Sequence, residues 1–180
     1  MSSTTRWSGW WSGPPRRRWW PSPGGSGRAV TEPTAGTAEL AEVSDTLAFG
    51  ERLGRDLRAG DVVVLSGPLG AGKTALARGI AVGMDVEGPI TSPTYVLARV
   101  HRARRSGRPA MVHVDVYRLL DHAGADLLAE LDLDTDLDDA VAVVEWGEGL
   151  AERLSPRYLE VELTRRPDSD VRTAVWRWHP

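Results

Sequence analysis

From Glu39 onward the hydrophobic and polar positions fall into short segments whose period switches between two residues and three to four. Glu39-Leu40-Ala41-Glu42-Val43 alternates and predicts a short edge strand. Ser44 is suited to an N-cap and Asp45 to a first helical turn, and Leu47, Gly50, Leu53 and Leu57 continue as a helical stripe that Gly60-Asp61 breaks. Val62-Val63-Val64-Leu65 is a continuous apolar run, the pattern of a buried strand. Thr74 to Met84 predicts a helix, with Leu76, Ile80 and Met84 spaced i, i+4, i+8. Pro89 and Pro93 keep residues 87–94 irregular. Tyr95 to Val100 and Met111 to Tyr117 predict two strands joined as a hairpin through the basic tip His101 to Arg108. Ala123 to Leu131 predicts a short helix, Ala140 to Val144 a strand covered on both faces, and Gly147 to Leu154 another helix. Tyr158 to Thr164 and Val171 to Trp178 alternate on either side of a turn, giving a closing hairpin. Interleaved strands and helices with local antiparallel pairs predict a three-layer α/β fold around a mixed parallel and antiparallel sheet.

Residues 1–37 show neither period. Ser, Gly, Pro, Arg and Trp dominate, and five of the eight tryptophans (Trp7, Trp10, Trp11, Trp19, Trp20) lie beside Arg16-Arg17-Arg18. Such a segment could stack on bases or sit at a membrane interface, but a disordered tail without an essential role, or an upstream extension from a start site set too early, is the preferred expectation. No apolar stretch follows the arginines, so a secretion signal is not expected. The expected division is therefore a tail over 1–37 and one domain over 38–180.

Composition narrows the chemistry. The chain has no cysteine, which excludes disulfides, thiol catalysis and zinc-thiolate sites and agrees with a reducing cytoplasm. A formal charge of −3 gives no global case for nucleic-acid binding, and no segment approaches the roughly 18 apolar residues that span a bilayer. Direct DNA or membrane partners are not expected. The four histidines are scattered without a metal-ligand spacing. Asp132, Asp134, Asp136 and Asp138 begin like a calcium loop, but Leu137 and Val143 stand where its glycine and its final acid belong, so an acidic surface is the expectation.

One motif specifies more. Gly67-Pro68-Leu69-Gly70-Ala71-Gly72-Lys73-Thr74 fits G-x-x-x-x-G-K-[ST] between a predicted strand and a predicted helix. A chance match in a chain of this length has a probability of about one per cent. In such a loop backbone N–H groups cradle phosphates, the lysine reaches the β- and γ-phosphates, the hydroxyl reaches Mg²⁺, and the helix N-terminus faces the anion. The loop does not name a reaction. No guanine-reading Asn/Thr-Lys-x-Asp segment and no Leu-Ser-Gly-Gly-Gln signature follows it, which argues against Ras-type GTPases and transporter ATPases. The chemistry further needs an acid at a strand end to hold Mg²⁺, directly or through water. Asp115 and Glu145 both qualify; Glu145, immediately after the Ala140–Val144 run, fits the crevice at the carboxyl ends of the strands better.

The loop, then Ser92-Pro93-Thr94-Tyr95, then Asp115-Val116-Tyr117-Arg118-Leu119, then Val144-Glu145-Trp146-Gly147, resembles the bacterial tRNA threonylcarbamoyladenosine biosynthesis ATPase family, TsaE, over about Leu40 to Trp178. The resemblance implies a P-loop NTPase fold and a cytoplasmic ATPase of low intrinsic rate. Its ATP cycle supports turnover of a threonylcarbamoyl transferase complex built from two kinase-like-fold subunits. The complex modifies the tRNA adenosine next to the anticodon, so tRNA is met indirectly. The resemblance implies that Gly67 to Ala75 bind ATP, that Lys73 contacts the β- and γ-phosphates, and that Thr74 and Glu145 hold Mg²⁺. Asp115 would position the attacking water or a metal-bound water, Thr94 would sense the γ-phosphate, and Ser44, Asp45 and Thr46 would lie near the adenine. Trp146 and Tyr95 would shape the site or a partner surface. Two other readings stay open: a P-loop small-molecule kinase, with the basic tip as its one candidate lid, and a nucleotide-dependent binding switch with negligible hydrolysis.

Overall fold

The structure is a computed structural model that describes residues 35–91, 98–116, 139–147, 155, 157–166 and 168–180. Among them are seven strands and two helices: β1 (Ala35–Leu40), α1 (Val43–Asp56), β2 (Val62–Ser66), α2 (Lys73–Met84), β3 (Ala98–His101), β4 (Ala110–Asp115), β5 (Ala140–Glu145), β6 (Tyr158–Arg165) and β7 (Arg172–His179). The strands form one sheet in the order β1-β7-β6-β2-β5-β4-β3. The pairs β6–β2, β2–β5 and β5–β4 are parallel, and the outer pairs β1–β7, β7–β6 and β4–β3 are antiparallel. The mixed α/β sheet expected from the sequence is present. Its parallel centre explains why β2 and β5 read as unbroken apolar runs, since every residue of both is buried.

The two faces of the sheet separate by residue parity. Val62, Val64, Val112, Val114, Ala140, Ala142, Val144 and Tyr158 form one buried cluster. The opposite face carries Leu65, Glu145 and His113 and receives both described helices. Phe49 of α1 meets Trp176 of β7 with ring centroids 5.2 Å apart, and Thr74 of α2 reaches β5.

α1 and α2 pack on each other through glycine. A Cβ at Gly50 would land against Leu76 O and 2.9 Å from the Cα of Gly79, and Cβ atoms at Gly54, Gly79 and Gly83 would overlap Ile80 O, Leu47 O and Glu51 O. The two helices meet backbone to backbone, so any side chain at these four positions must push them apart. Met84, Ile80 and Leu76 stay buried, as their spacing predicts, and Val82 on the far side is exposed.

Four details differ from the sequence reading. The first strand ends at Leu40 rather than Val43, and Ala35 to Thr37, expected in the tail, pair with Val175 to Arg177 of β7. The cap of α1 is Glu42, not Ser44: Glu42 and Asp45 form a reciprocal capping box, and the Ser44 hydroxyl donates to Glu42 Oε2 at 3.2 Å. Leu47 is partly exposed while Thr46 and Phe49, off the predicted stripe, are buried. α2 starts at Lys73, one residue before the predicted Thr74. The helix expected over 123–131, all but Gly147 of the one expected over 147–154, and the first residues of the strand predicted from Tyr95 lie outside the described residues.

The hairpin of β3 and β4 forms as expected, and its basic tip closes the C-terminal end of α2. Arg105 Nε lies 3.1 Å from Asp85 Oδ2, Arg104 Nε donates to Val86 O at 3.2 Å, and Arg108 donates to Gly83 O at 3.4 Å. Cations at a helix C-terminus meet its unpaired carbonyls and negative dipole end. No helix among the described residues is long and apolar enough to cross a membrane.

Gly79→Ala tests the helix contact. Helix propensity alone favours alanine by about 1 kcal/mol, yet overpacking should reverse the sign and cost about 1–3 kcal/mol in denaturant unfolding. Val82→Ala, on the exposed side, should change stability by about 0.5 kcal/mol or less. His101 gives a pH test. It is buried, its Nδ1 lies 3.1 Å from Glu87 O, and burial, the largest influence, holds its pKa below the ordinary 6.5. The unfolded chain therefore takes up a proton more readily than the folded one below about pH 6.5. Stability should be level above that pH and fall as the pH drops toward the lowered folded value, with a shallower fall in His101→Gln.

Candidate functional site

β2 runs directly into the loop, and the loop into α2, as a phosphate cradle requires. Three of its glycines adopt positive φ: Gly67 at 122°, Gly70 at 78° and Gly72 at 109°. At Gly67 the need is double, because a Cβ there would also strike Leu163 O on the neighbouring β6. Pro68, Leu69 and Gly70 form the exposed crest, with Leu69 83% accessible, while Ala71 is buried beneath it. α2 then opens with Gly72 as its cap and no side-chain cap, which leaves its first N–H groups directed at the loop's mouth.

Lys73 is only 4% exposed. Its ammonium donates to Gly67 O at 2.6 Å and Pro68 O at 3.0 Å and lies 3.5 Å from the ring centroid of Trp146. The lysine thus closes the loop on itself as well as being aimed along it. Trp146 reaches this place through a left-handed backbone, φ 63°, a conformation that costs a non-glycine residue about 1–3 kcal/mol. Its N–H bonds Leu65 O at 3.0 Å, carrying the β2–β5 ladder past the strand end and turning the indole under the lysine. Gly147 is forced next, since a Cβ there would stand 2.7 Å from Val144 Cγ1.

Glu145 joins distant parts of the chain. Thr74 Oγ1 donates to its Oε2 at 3.0 Å, and His113 Nε2 lies 2.8 Å from its Oε1. Glu145 is 2% exposed and meets no arginine among these bonds, so it is not a rim acid in a surface ion pair. Asp115 is its register partner on β4, on the same face and half-buried, so the two carboxylates flank one crevice at the carboxyl ends of parallel strands. Among the described residues no group of three or more His, Asp or Glu is gathered as a metal cage. A hydroxyl and one or two carboxylates are nevertheless a hard-oxygen donor set that suits Mg²⁺, which commonly takes its other ligands from water and phosphate.

Of the three residues expected near the adenine, Thr46 is buried, and its Cγ2 lies 3.9 Å from where a Cβ would stand at Gly72 of the loop. Ser44 is exposed, and Asp45 accepts from the Glu42 N–H at 3.0 Å. Thr94, Tyr95 and Arg118 lie outside the described residues, as does the acidic stretch from Asp132 to Asp138.

Two site residues escaped the sequence reading. His113 is one. Arg172 is the other: 7% exposed, it donates from Nε to Ala71 O at 3.1 Å and from Nη1 to Asp170 O at 2.7 Å, pinning the loop from β7. Both shared a detectable signal, a polar side chain among buried strand positions. His113 has the parity of Asp115, and Arg172 that of the buried Ala174 and Trp176. The basic tip, by contrast, is held at the opposite end of α2, roughly 18 Å from the loop at 1.5 Å per residue.

The family model described as "Threonylcarbamoyl adenosine biosynthesis protein TsaE" matches residues 40–174. The chain is 73% identical over 146 residues to the tRNA threonylcarbamoyladenosine biosynthesis protein TsaE of Mycobacterium tuberculosis, covering 79% of this chain and 87% of that protein. It is 53% identical over 117 residues to the protein of the same name from Streptomyces coelicolor, covering 65% and 77%. Among solved structures, Bacillus subtilis YdiB is similar with a TM-score of 0.61 at 25% identity, over 79% of this chain and 84% of that one.

Arg172→Ala should cost about 2 kcal/mol of stability, the range for charge-assisted bonds to buried carbonyls, and should speed amide exchange at residues 70–72. Arg172→Lys should recover little of either, because an ammonium cannot reproduce the guanidinium's fixed fork.

Proposed function

The chain belongs to the TsaE family of threonylcarbamoyl adenosine biosynthesis proteins, and from that premise we propose that it binds ATP at Gly67–Ala75 and hydrolyses the β–γ bond in a Mg²⁺-dependent reaction. The fold is that of P-loop NTPases. The observation that carries the proposal is the 3.0 Å bond from Thr74 to Glu145, side chains 71 positions apart that the reaction needs at one point.

Thr74 and Glu145 would hold the ion, which when bound polarises phosphoryl oxygens and offsets charge developing on them. The remaining work falls to the chain. Backbone N–H groups of the loop and of the first turn of α2 bind the phosphates. Lys73, exchanging Gly67 O and Pro68 O for phosphate oxygens, neutralises charge on the β- and γ-groups, with Trp146 beneath limiting where the ammonium can go. Asp115, beside Glu145, orients the attacking water. Thr94 reports the γ-phosphate to a switch segment. Catalysis of this kind is positioning and charge neutralisation with no covalent intermediate, and a slow intrinsic rate, raised when the partner complex completes the site, is expected.

In the cell, the cytoplasmic ATP cycle would support repeated turnover of the threonylcarbamoyl transferase complex acting on tRNA, with tRNA contacted through that complex. The position of Arg104, Arg105 and Arg108 at the far end of α2 speaks against the basic tip as a kinase lid.

Lys73→Ala should reduce phosphate release by about 10²-fold or more. Because it also removes the bonds to Gly67 O and Pro68 O, its fold should be checked by circular dichroism. Full activity in a folded variant would refute the assignment. Multiple-turnover tRNA modification reconstituted with and without the chain tests the cellular role; equal turnover would refute it. ATP-dependent partner binding without any phosphate release would replace hydrolysis by a binding switch.

A further inference from the structure

Position 113 lies at the centre of β4, between Val112 and Val114 and in register with Val143, where an aliphatic residue would fill the space. His113 is instead fully buried there, with Nε2 2.8 Å from Glu145 Oε1 and Nδ1 buried without a hydrogen-bond partner. Packing alone gives no reason for a polar ring that leaves one nitrogen unsatisfied. The bond to Glu145 does. An ionised carboxylate only accepts, so the hydrogen of His113 sits on Nε2 and the unpaired Nδ1 is a bare lone pair. Glu145 carries three rotatable side-chain bonds, and its other oxygen is held by the Thr74 hydroxyl. Once Thr74 turns that hydroxyl oxygen to a cation, the His113 bond is the hydrogen bond that still holds the carboxylate among the described residues.

We propose that His113 is a positioning residue: its Nε2–H holds Oε1 of Glu145 so that Oε2 stays directed at Thr74 and the metal corner. The proposal rests on the reading of Glu145 as a metal-holding acid. It belongs to the general pattern in which a neighbour's hydrogen bond orients a ligating carboxylate.

The test compares the full chain with His113→Leu, which removes the donor, His113→Gln, whose amide N–H can reach the same oxygen, and Glu145→Gln. Binding of a non-hydrolysable ATP analogue is followed by calorimetry against Mg²⁺ concentration and again in EDTA. His113→Leu should raise the Mg²⁺ concentration for half-maximal effect about 10- to 100-fold. It should leave metal-free affinity unchanged while lowering the melting temperature modestly, because buried Glu145 Oε1 loses its donor, and His113→Gln should restore most of the Mg²⁺ response. The ¹⁵N spectrum of the wild-type imidazole should show a protonated Nε2 and an unprotonated Nδ1. An unchanged Mg²⁺ requirement in His113→Leu while Glu145→Gln shifts it overturns this proposal alone. No shift in either variant overturns the reading of Glu145 as well. Equal weakening with and without metal, or no recovery by glutamine, assigns His113 a structural role and overturns the proposal. Should His113→Leu fail to fold, the glutamine variant and the wild-type spectrum decide: an Nδ1–H tautomer overturns it.

Discussion

Gly50 and Gly54 of α1 face Gly79 and Gly83 of α2 closely enough that no side chain fits between the two backbones. That contact fixes where α2 lies over the sheet, and the site depends on it. α2 begins at Lys73, so the placement of its axis sets the position of the lysine, of Thr74 and of the free N–H groups of the first turn together. A side chain wedged into the contact would tilt the helix and move all three relative to Glu145, which belongs to a strand and cannot follow. The 3.0 Å bond between Thr74 and Glu145 thus measures how well two independently built layers are aligned.

The cluster around Glu145 shows how the parallel centre of the sheet does chemical work. Parallel register puts Asp115 and Glu145 side by side at the same end of β4 and β5, with the loop leaving β2 at that same end. Three strands deliver an acid, an acid and a phosphate cradle to one crevice without any connecting segment having to fold in a special way. The backbone beyond the strand ends then takes the unusual conformations, at Gly67, Gly72 and Trp146, where they aim groups rather than join elements.

Much of this was legible in the chain. β2, β5 and α2 were readable because full burial and helical burial leave distinct periods, and the loop because its glycines and lysine stand at fixed spacing. Glu145 was legible as the residue that ends an apolar run. What could not be read depends on contacts distant in sequence or on local competition between caps. Ser44 is the better N-cap by type, yet Glu42 takes the position because Asp45 completes a reciprocal pair with it. Arg172 lies 101 residues from the carbonyl it holds, and His113 lies 32 from its carboxylate, so their parity on a strand is visible but their partners are not. The motif describes Lys73 with a phosphate present; without one, the loop's own carbonyls at Gly67 and Pro68 accept from it.

The pairing of β1 with β7 has a mechanical side. β1 is antiparallel to β7, so Ala35 lies opposite Arg177 and the chain enters and leaves the sheet at one corner. A load applied across those two points would peel β1 away one hydrogen bond at a time, rather than shear all six residue pairs together. The strands that form the crevice, β2, β5 and β4, lie beyond β7 and β6 and would not bear that load until those had gone. Tension at that edge would therefore detach β1 first, while β7 still held Arg172 against the phosphate loop.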